Sequence, residues 1–501
     1  MCKRKVEIRM GPERKKDRNP PSAWLEDSYT IGNYRFKRLD LLLLTIFITA
    51  ILLRLINNSP SFFSYWFDES EYSVRARYVL DHGGGYDPYF LRDHPPLFPY
   101  LLAVPYSVLG SEWYVGRGLI VVLSMINLSV FYFIGKEMKD QKLGLWLAAL
   151  YGLSPVIVYL NREVTLDTLA VLFLSLSFLF VLKYLKDPKW QNFLAVAFFF
   201  GLGCLTKEVA VIFVLPLLGL VLRQKIYRRP HFYVGLLIFL VMTVPVYYLM
   251  SVNGFLSFHT FQMVKTSRYT VGNQTLTTLN GTSVLTFAGW VNIGFVPLLL
   301  HVRDVFRKGH RQGQERKKTS KGLRGFIHGI KDEHLFLILW LVGGLIFSLS
   351  ITLMAPQYDF YPFIPIALIL GLVLRRPSKA TWLKVVLVVY LLISICGIGY
   401  FYQLKGADMA VNYMKDHVSK NDTMIVSDYS IFEYYFPDNQ VTKTSQDKLA
   451  TMNVTYVVMT TELMNEYLQN GTLKKKMSEY TLVYRTDVVS WDVEFSVYKR
   501  I

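Results

Sequence analysis

The stretch Asp93-His94-Pro95-Pro96-Leu97-Phe98-Pro99-Tyr100-Leu101-Leu102-Ala103-Val104-Pro105-Tyr106-Ser107-Val108-Leu109 decides how this chain is read. It opens as a turn with an acid and a histidine and continues as an apolar run. A helix that crosses a bilayer needs about 20 apolar residues. The run 96–109 is shorter, and Pro99 and Pro105 interrupt it. It is read as a helix lying at the membrane interface. If it crossed, every later segment would change sides. The stretch 136–142, Lys-Glu-Met-Lys-Asp-Gln-Lys, would then face outward, against the rule that positive loops stay inside.

Working outward, apolar runs recur along most of the chain. Its 501 residues are 52% hydrophobic with a mean hydropathy of +0.28, which fits a polytopic membrane protein. The expected spans are 39–56, 118–135, 143–160, 168–185, 192–205, 209–222, 232–250, 284–300, 335–353, 360–374 and 383–400, about eleven in all. The net charge of +18 does not imply nucleic acid, because Lys and Arg gather in the loops between spans and orient the chain. A basic arm, 1–38, is expected to be cytoplasmic and without fixed structure. The first outer loop, 57–117, is acidic. Six sequons, beginning at Asn57, Asn273, Asn280, Asn421, Asn453 and Asn470, fall on the side expected to be outside. Cys2, Cys204 and Cys396 lie far apart, with neither a disulfide framework nor zinc spacing. The first apolar segment has no small-residue cleavage site and is expected to stay as an anchor.

Residues 401–501 change composition. Helical spacing at 408–417 and 461–468, apolar runs at 423–426 and 454–459, and alternation at 482–485 and 493–499 predict a small extracytoplasmic α/β domain. The transmembrane domain expected to do chemistry is then 39–400.

Candidate residues follow from the cost of charge at membrane depth. Asp68 and Glu69, in Phe67-Asp68-Glu69-Ser70-Glu71-Tyr72, follow the first span, where a carboxylate could serve as a base for an acceptor arriving from outside. Asp167 and Arg162 sit in the short link between two spans, at the mouth of the bundle. Arg162 has the fork geometry for a phosphate. Lys207, tightly flanked by apolar residues, needs an anion: either Glu208 beside it or a lipid phosphate. His94 is held extended by the following Pro-Pro. His259 begins another outer loop. These acids and histidines leave room for a divalent metal without a spacing that specifies one. Gly83-Gly84-Gly85 lacks the strand and the Lys-Ser/Thr of a phosphate-binding loop, and no nucleotide motif occurs. A group carried on a membrane lipid fits better than a nucleotide donor.

Taken in order, several motifs resemble the GT-C membrane glycosyltransferases, in the branch of the protein O-mannosyltransferases and the aminoarabinose transferases of lipid A. They are Asp68-Glu69-Ser70-Glu71-Tyr72 with Ala76-Arg77, His94-Pro95-Pro96-Leu97, Arg117, Ser154-Pro155, Arg162 with Asp167, Leu205-Thr206-Lys207, and Tyr358 through Pro362. The resemblance implies a polyprenyl- or dolichyl-phosphate monosaccharide donor, such as a mannose carrier, and inverting transfer at the outer face. The acceptor would be a hydroxyl on protein, glycan or lipid. It implies Asp68 as the catalytic acid residue, Asp167 as a second acid, Lys207 at the donor phosphate and His94 near the donor. It implies, less directly, His259 as a metal-binding loop histidine. Gln357 stands before Tyr358 where relatives commonly carry Arg, which removes the usual ground for a phosphate role there. The competing class is a transporter or lipid flippase with an external domain. Its expected repeat symmetry and mid-span charges are missing from the sequence.

Overall fold

A computed structural model describes residues 28–31, 34–56, 58, 67–256, 269–271, 274–276, 330–350, 360–374, 406–427, 429–486 and 494–501, with isolated positions between 385 and 396. The expected span 284–300, most of 383–400, His259 and Tyr358 lie outside the described residues.

The basic arm is not wholly without structure. Strands β1 (Ser28–Ile31) and β2 (Tyr34–Lys37) pair antiparallel, with Ile31 opposite Tyr34. Two residues, Gly-Asn, separate them, and such a dipeptide between β-favouring residues is a hairpin signal that the charge count hides. A second small hairpin joins β3 (Tyr269–Val271) to β4 (Gln274–Leu276).

The helical part begins with α1 (Arg38–Leu55), followed by α2 (Phe67–Asp81), the single turn α3 (Pro88–Leu91) and α4 (Leu97–Leu109). At about 1.5 Å per residue, α4 reaches only about 20 Å, short of a bilayer core. It packs along α2 instead. Tyr72 meets Phe98 edge-on at 5.8 Å, and the Ser73 and Tyr106 hydroxyls lie 3.0 Å apart. Next come α5 (Trp113–Met138), α6 (Gln141–Leu153), α7 (Pro155–Leu160), α8 (Asp167–Lys186) and α9 (Trp190–Thr206). The expected span 143–160 is thus two helices. Pro155 cannot donate to the preceding turn, and Ser154 before it is extended at ψ 127°. The expected span 209–222 is likewise split, into a 3₁₀ turn, Glu208–Phe213, and α10 (Val214–Arg223). Three longer helices follow: α11 (Pro230–Val252), α12 (Asp332–Ser350) and α13 (Phe360–Leu374). Among the described residues, α5, α8 and α11 are each long and apolar enough to cross a membrane.

Helices α5 and α6 cross backbone to backbone. A Cβ on Gly135 would lie 2.5 Å from the Gly144 nitrogen, and one on Gly144 2.5 Å from the Tyr132 carbonyl. Only glycines allow backbones this close, a device common between helices in lipid.

The last hundred residues carry α14 (Gly406–His417), β5 (Thr423–Val426), α15 (Tyr429–Tyr435), β6 (Gln440–Lys443), α16 (Gln446–Thr451), β7 (Tyr456–Thr460), α17 (Thr461–Tyr467), α18 (Gly471–Met477), β8 (Tyr480–Arg485) and β9 (Phe495–Arg500). The sheet order is β6-β5-β7-β9-β8, parallel across the first three strands and antiparallel thereafter. Alternation sends Met424, Val426, Tyr456 and Val458 to the face covered by α14 and α15, and Ile425, Val457 and Met459 to the other face, under α16, α17 and α18. The sheet meets the helical part through α15. Tyr434 is buried in the helical core, and Tyr435 packs against both cores.

Candidate active site

Helix α2 carries two stripes at helical spacing. Asp68, Glu71, Tyr72 and Arg75 fall on one, and Glu69, Ser73 and Ala76 on the other. Acids in the first turn suit the positive end of the helix dipole.

The second stripe is structural. Glu69 is fully buried and takes both fork bonds of Arg117 in α5, Nε donating at 3.0 Å and Nη2 at 2.8 Å. The Val164 N–H donates to the same carboxylate at 2.8 Å, and Arg117 Nη1 donates to the Asn58 carbonyl at 2.8 Å. Glu69 therefore fastens α2 to α5 and to the 161–167 link. A bidentate, further hydrogen-bonded pair is the geometry in which buried charges repay their desolvation.

The first stripe faces the turn at 92–96 and the mouth of the bundle. Arg75 donates to Asp93 Oδ2 at 2.6 Å and pairs with Glu71. His94 Nδ1 lies 2.9 Å from Glu208 Oε2, and its Nε2 lies 3.7 Å from Asp93 Oδ1. The result is a run of alternating charge from Glu71 through Arg75, Asp93 and His94 to Glu208. Two acceptors hold His94 cationic, with Asp93 and Glu208 outweighing its burial and raising it to about 9. Asp93 is held below the usual carboxylate range, His94 and Arg75 overcoming its own burial.

Lys207 and Asp167 form a separate buried pair. Lys207 Nζ donates to both Asp167 oxygens, at 2.7 and 2.9 Å. Lys207 is the residue at which α9 ends, extended at φ −151°, and Asp167 opens α8. The sequence offered Lys207 either Glu208 or a lipid phosphate; the structure gives it a third anion, Asp167, and sets Glu208 against His94. The fully buried Arg162 donates to the Leu53 carbonyl at 2.6 Å, tying the link to the end of α1. That carbonyl competes with the phosphate contact expected of Arg162.

Asp68 lies among these groups. Burial, then the charge of Glu71, pushes its carboxyl up to about 6, while Lys207 and His94 pull the other way. A carboxylate with a raised pKa, half-buried and beside two cations, has the make-up of a general base. The structure thus gathers Asp68, His94, Asp167 and Lys207 at one mouth and gives Glu69 and Arg162 anchoring contacts. Glu71, Arg75, Asp93 and Glu208 complete the cluster. In sequence Glu71, Arg75 and Asp93 read as ordinary loop charges and Glu208 as a partner for Lys207, although helical spacing already aligns Glu71 and Arg75 with Asp68. Among the described residues no group of three or more His, Cys, Asp or Glu could hold a metal ion. His259, the histidine that the resemblance offers to a metal, lies outside the described residues.

Residues 93–249 match the family described as dolichyl-phosphate-mannose-protein mannosyltransferase. That stretch holds His94, Asp167, Lys207 and Glu208 and stops short of Asp68. No curated protein matches the chain in sequence. Among solved structures, ArnT from Cupriavidus metallidurans bound to undecaprenyl phosphate superposes with a TM-score of 0.57 at 16% identity, over 92% of this chain and 97% of that one. Its apo state gives 0.57 at 15%, over 91% and 97%. The oligosaccharyltransferase AglB from Archaeoglobus fulgidus, in complex with an inhibitory peptide and a dolichol-phosphate, gives 0.55 at 10%, over 91% and 74%. The chain has the fold of the GT-C membrane glycosyltransferases and resembles the branch that its motifs suggest.

Proposed function

We propose that this protein is a membrane glycosyltransferase that moves a monosaccharide, a hexose such as mannose, from a polyprenyl- or dolichyl-phosphate donor to an acceptor hydroxyl, with inversion, at the outer face. The acceptor is protein, glycan or lipid. The arm before α1 then lies in the cytoplasm, about eleven spans cross the membrane, and the C-terminal sheet lies outside. The observation that carries the reading is Asp68, its carboxyl raised to about 6, in one cluster with Lys207, Asp167 and His94. The mannosyltransferase family match over part of that cluster and the undecaprenyl-phosphate complex of the ArnT fold neighbour support the donor class.

In this mechanism the acceptor oxygen attacks the anomeric carbon from the face opposite the phosphate. Asp68 takes the hydroxyl proton as the new C–O bond forms. The bond from the anomeric carbon to the phosphate oxygen breaks, and the electron pair leaves with the polyprenyl phosphate. Lys207 and His94 offset the charge growing on that oxygen. Asp167 holds Lys207 charged and aimed. No cofactor is consumed.

The test is transfer of radiolabelled sugar from defined polyprenyl-phosphate donors to acceptors in added membrane extract, with purified protein in lipid. Product that appears with wild type and disappears with Asp68→Asn supports the reading. Equal transfer by the two rules out Asp68 as base, and donor transport without transfer replaces the enzyme reading with the flippase one.

A further inference from the structure

One contact is left over by the mechanism above: Glu208 on His94. Glu208 opens the 3₁₀ turn that follows α9, while His94 precedes the Pro95-Pro96 turn, 114 positions earlier. Pro95 confines His94 to extended backbone, and Pro96 precedes the first residue of α4, so the backbone that carries the imidazole is fixed while the ring itself needs side-chain partners to orient it. Carboxylates approach both of its ring nitrogens, Glu208 at 2.9 Å and Asp93 at 3.7 Å. The Tyr72 ring lies 6.1 Å from the imidazole. Asp93 is itself shared with Arg75 at 2.6 Å, so its charge is divided between two cations. Glu208 makes the shorter contact to His94. The other charged groups that face His94 are Lys207, next to Glu208 in the chain, and Asp68 on α2.

We propose that Glu208 is a positioning residue that, with Asp93, grips the His94 ring from both nitrogens and makes it a fixed cation opposite Asp68. Resting on the glycosyl-transfer reading, this gives His94 a definite part: it is a standing charge at the donor end of the site and not a second base. It divides the labour between two cations that are next to one another in space and held by different acids. Lys207 is held by Asp167, and His94 by Glu208. An imidazole hydrogen-bonded to a carboxylate at Nδ1, with a second carboxylate 3.7 Å from Nε2, keeps its proton through the pH range in which Asp68 must lose its own.

The experiment reads His94 directly, without substrate. Full-length protein with ¹³C-labelled histidine, in lipid nanodiscs, is titrated by NMR, and the His94 signal is assigned as the one missing in His94→Gln. The wild-type signal is expected to stay cationic well above neutral pH. In Glu208→Gln its midpoint falls by about one pH unit or more, that is, tenfold or more easier proton loss, and Glu208→Asp recovers part of that shift. A midpoint unchanged in Glu208→Gln overturns the proposal. Transfer activity supplies a second reading. The alkaline limb of the rate profile, where His94 loses its proton, moves to lower pH in Glu208→Gln, while the acid limb of Asp68 stays in place. His94→Lys, a permanent cation, is expected to make that alkaline limb insensitive to Glu208→Gln. Should the wild type transfer no sugar at all, the proposed function fails, while the titration still decides the role of Glu208.

Discussion

At the scale of single residues, Asp68 and the Lys207–Asp167 pair make the sharpest demands. Asp68 must be ionised to accept a proton, and its carboxyl is raised to about 6. The sign follows: activity is present above that pH and is lost as the pH falls through it, two units above where an ordinary aspartate would fail. A pH profile of sugar transfer checks this, and Asp68→Asn is expected to cost about 10²–10⁴-fold in rate while donor binding persists. Lys207→Ala leaves a carboxylate buried without its cation, a loss of about 3–5 kcal/mol in unfolding experiments and of donor affinity besides. Replacing both at once, Asp167→Leu with Lys207→Met, should recover most of that stability and none of the donor binding. This outcome separates the structural from the functional share of the pair. Sequence alone singles out Asp68, Asp167 and Lys207, because a charge beside an apolar run is costly, and His94 by the Pro-Pro that follows it. It could not pair them. Lys207 and Glu208 are adjacent in the chain, and nothing local says that α9 ends between Thr206 and Glu208 and directs them to different partners, 40 and 114 positions away.

At the scale of elements, the run 96–109 was legible because length and proline count are local quantities. Its helix packs on α2 without the length to cross a bilayer. The prolines at 155 and 216 are equally visible, yet hydropathy averages over them, so single spans were expected at 143–160 and 209–222. The helices α15, α16 and α18 and the strand β6 are not predicted from sequence, because each helix has at most about two turns, too few to establish a period, and the strand exposes both its ends. The α5–α6 crossing gives a test at this scale. Gly135→Ala pushes a methyl into the backbone of α6, and overpacking of this kind costs about 1–3 kcal/mol. A lowered melting temperature in detergent checks it, with an alanine at Gly118, which has open space around it, as the control that leaves stability within about 1 kcal/mol.

At the scale of the whole molecule, the sheet and the helices are held together by a compact knot around Arg77. Its Nε and Nη2 donate to the Ser111 hydroxyl and carbonyl at 2.9 and 3.1 Å, and its Nη1 donates to the Tyr434 carbonyl at 2.8 Å. The guanidinium also lies 4.2 Å from the centre of the Tyr434 ring, whose hydroxyl donates back to the Ser111 carbonyl at 3.2 Å. Arg77→Ala removes all of this at once. It should cost about 2 kcal/mol or more and make the C-terminal sheet more accessible to protease, with sugar transfer reduced because α2 also carries Asp68. Next to the knot, Lys415 stands 4.0 Å from the Tyr435 ring, which continues the contact into the second core. The two halves of the knot, Arg77 and Tyr434, are separated by 357 positions. At about 5–20 residues per second, a ribosome delivers α15 roughly 20–70 seconds after α2. Asp68, His94, Asp167 and Lys207 have all been made by then, with Asp68 on a helix whose contact to the sheet does not yet exist. A nascent chain halted before Tyr429 holds every candidate catalytic residue described above and the Glu69–Arg117 anchor of α2, yet lacks the contact that ties α2 to the sheet.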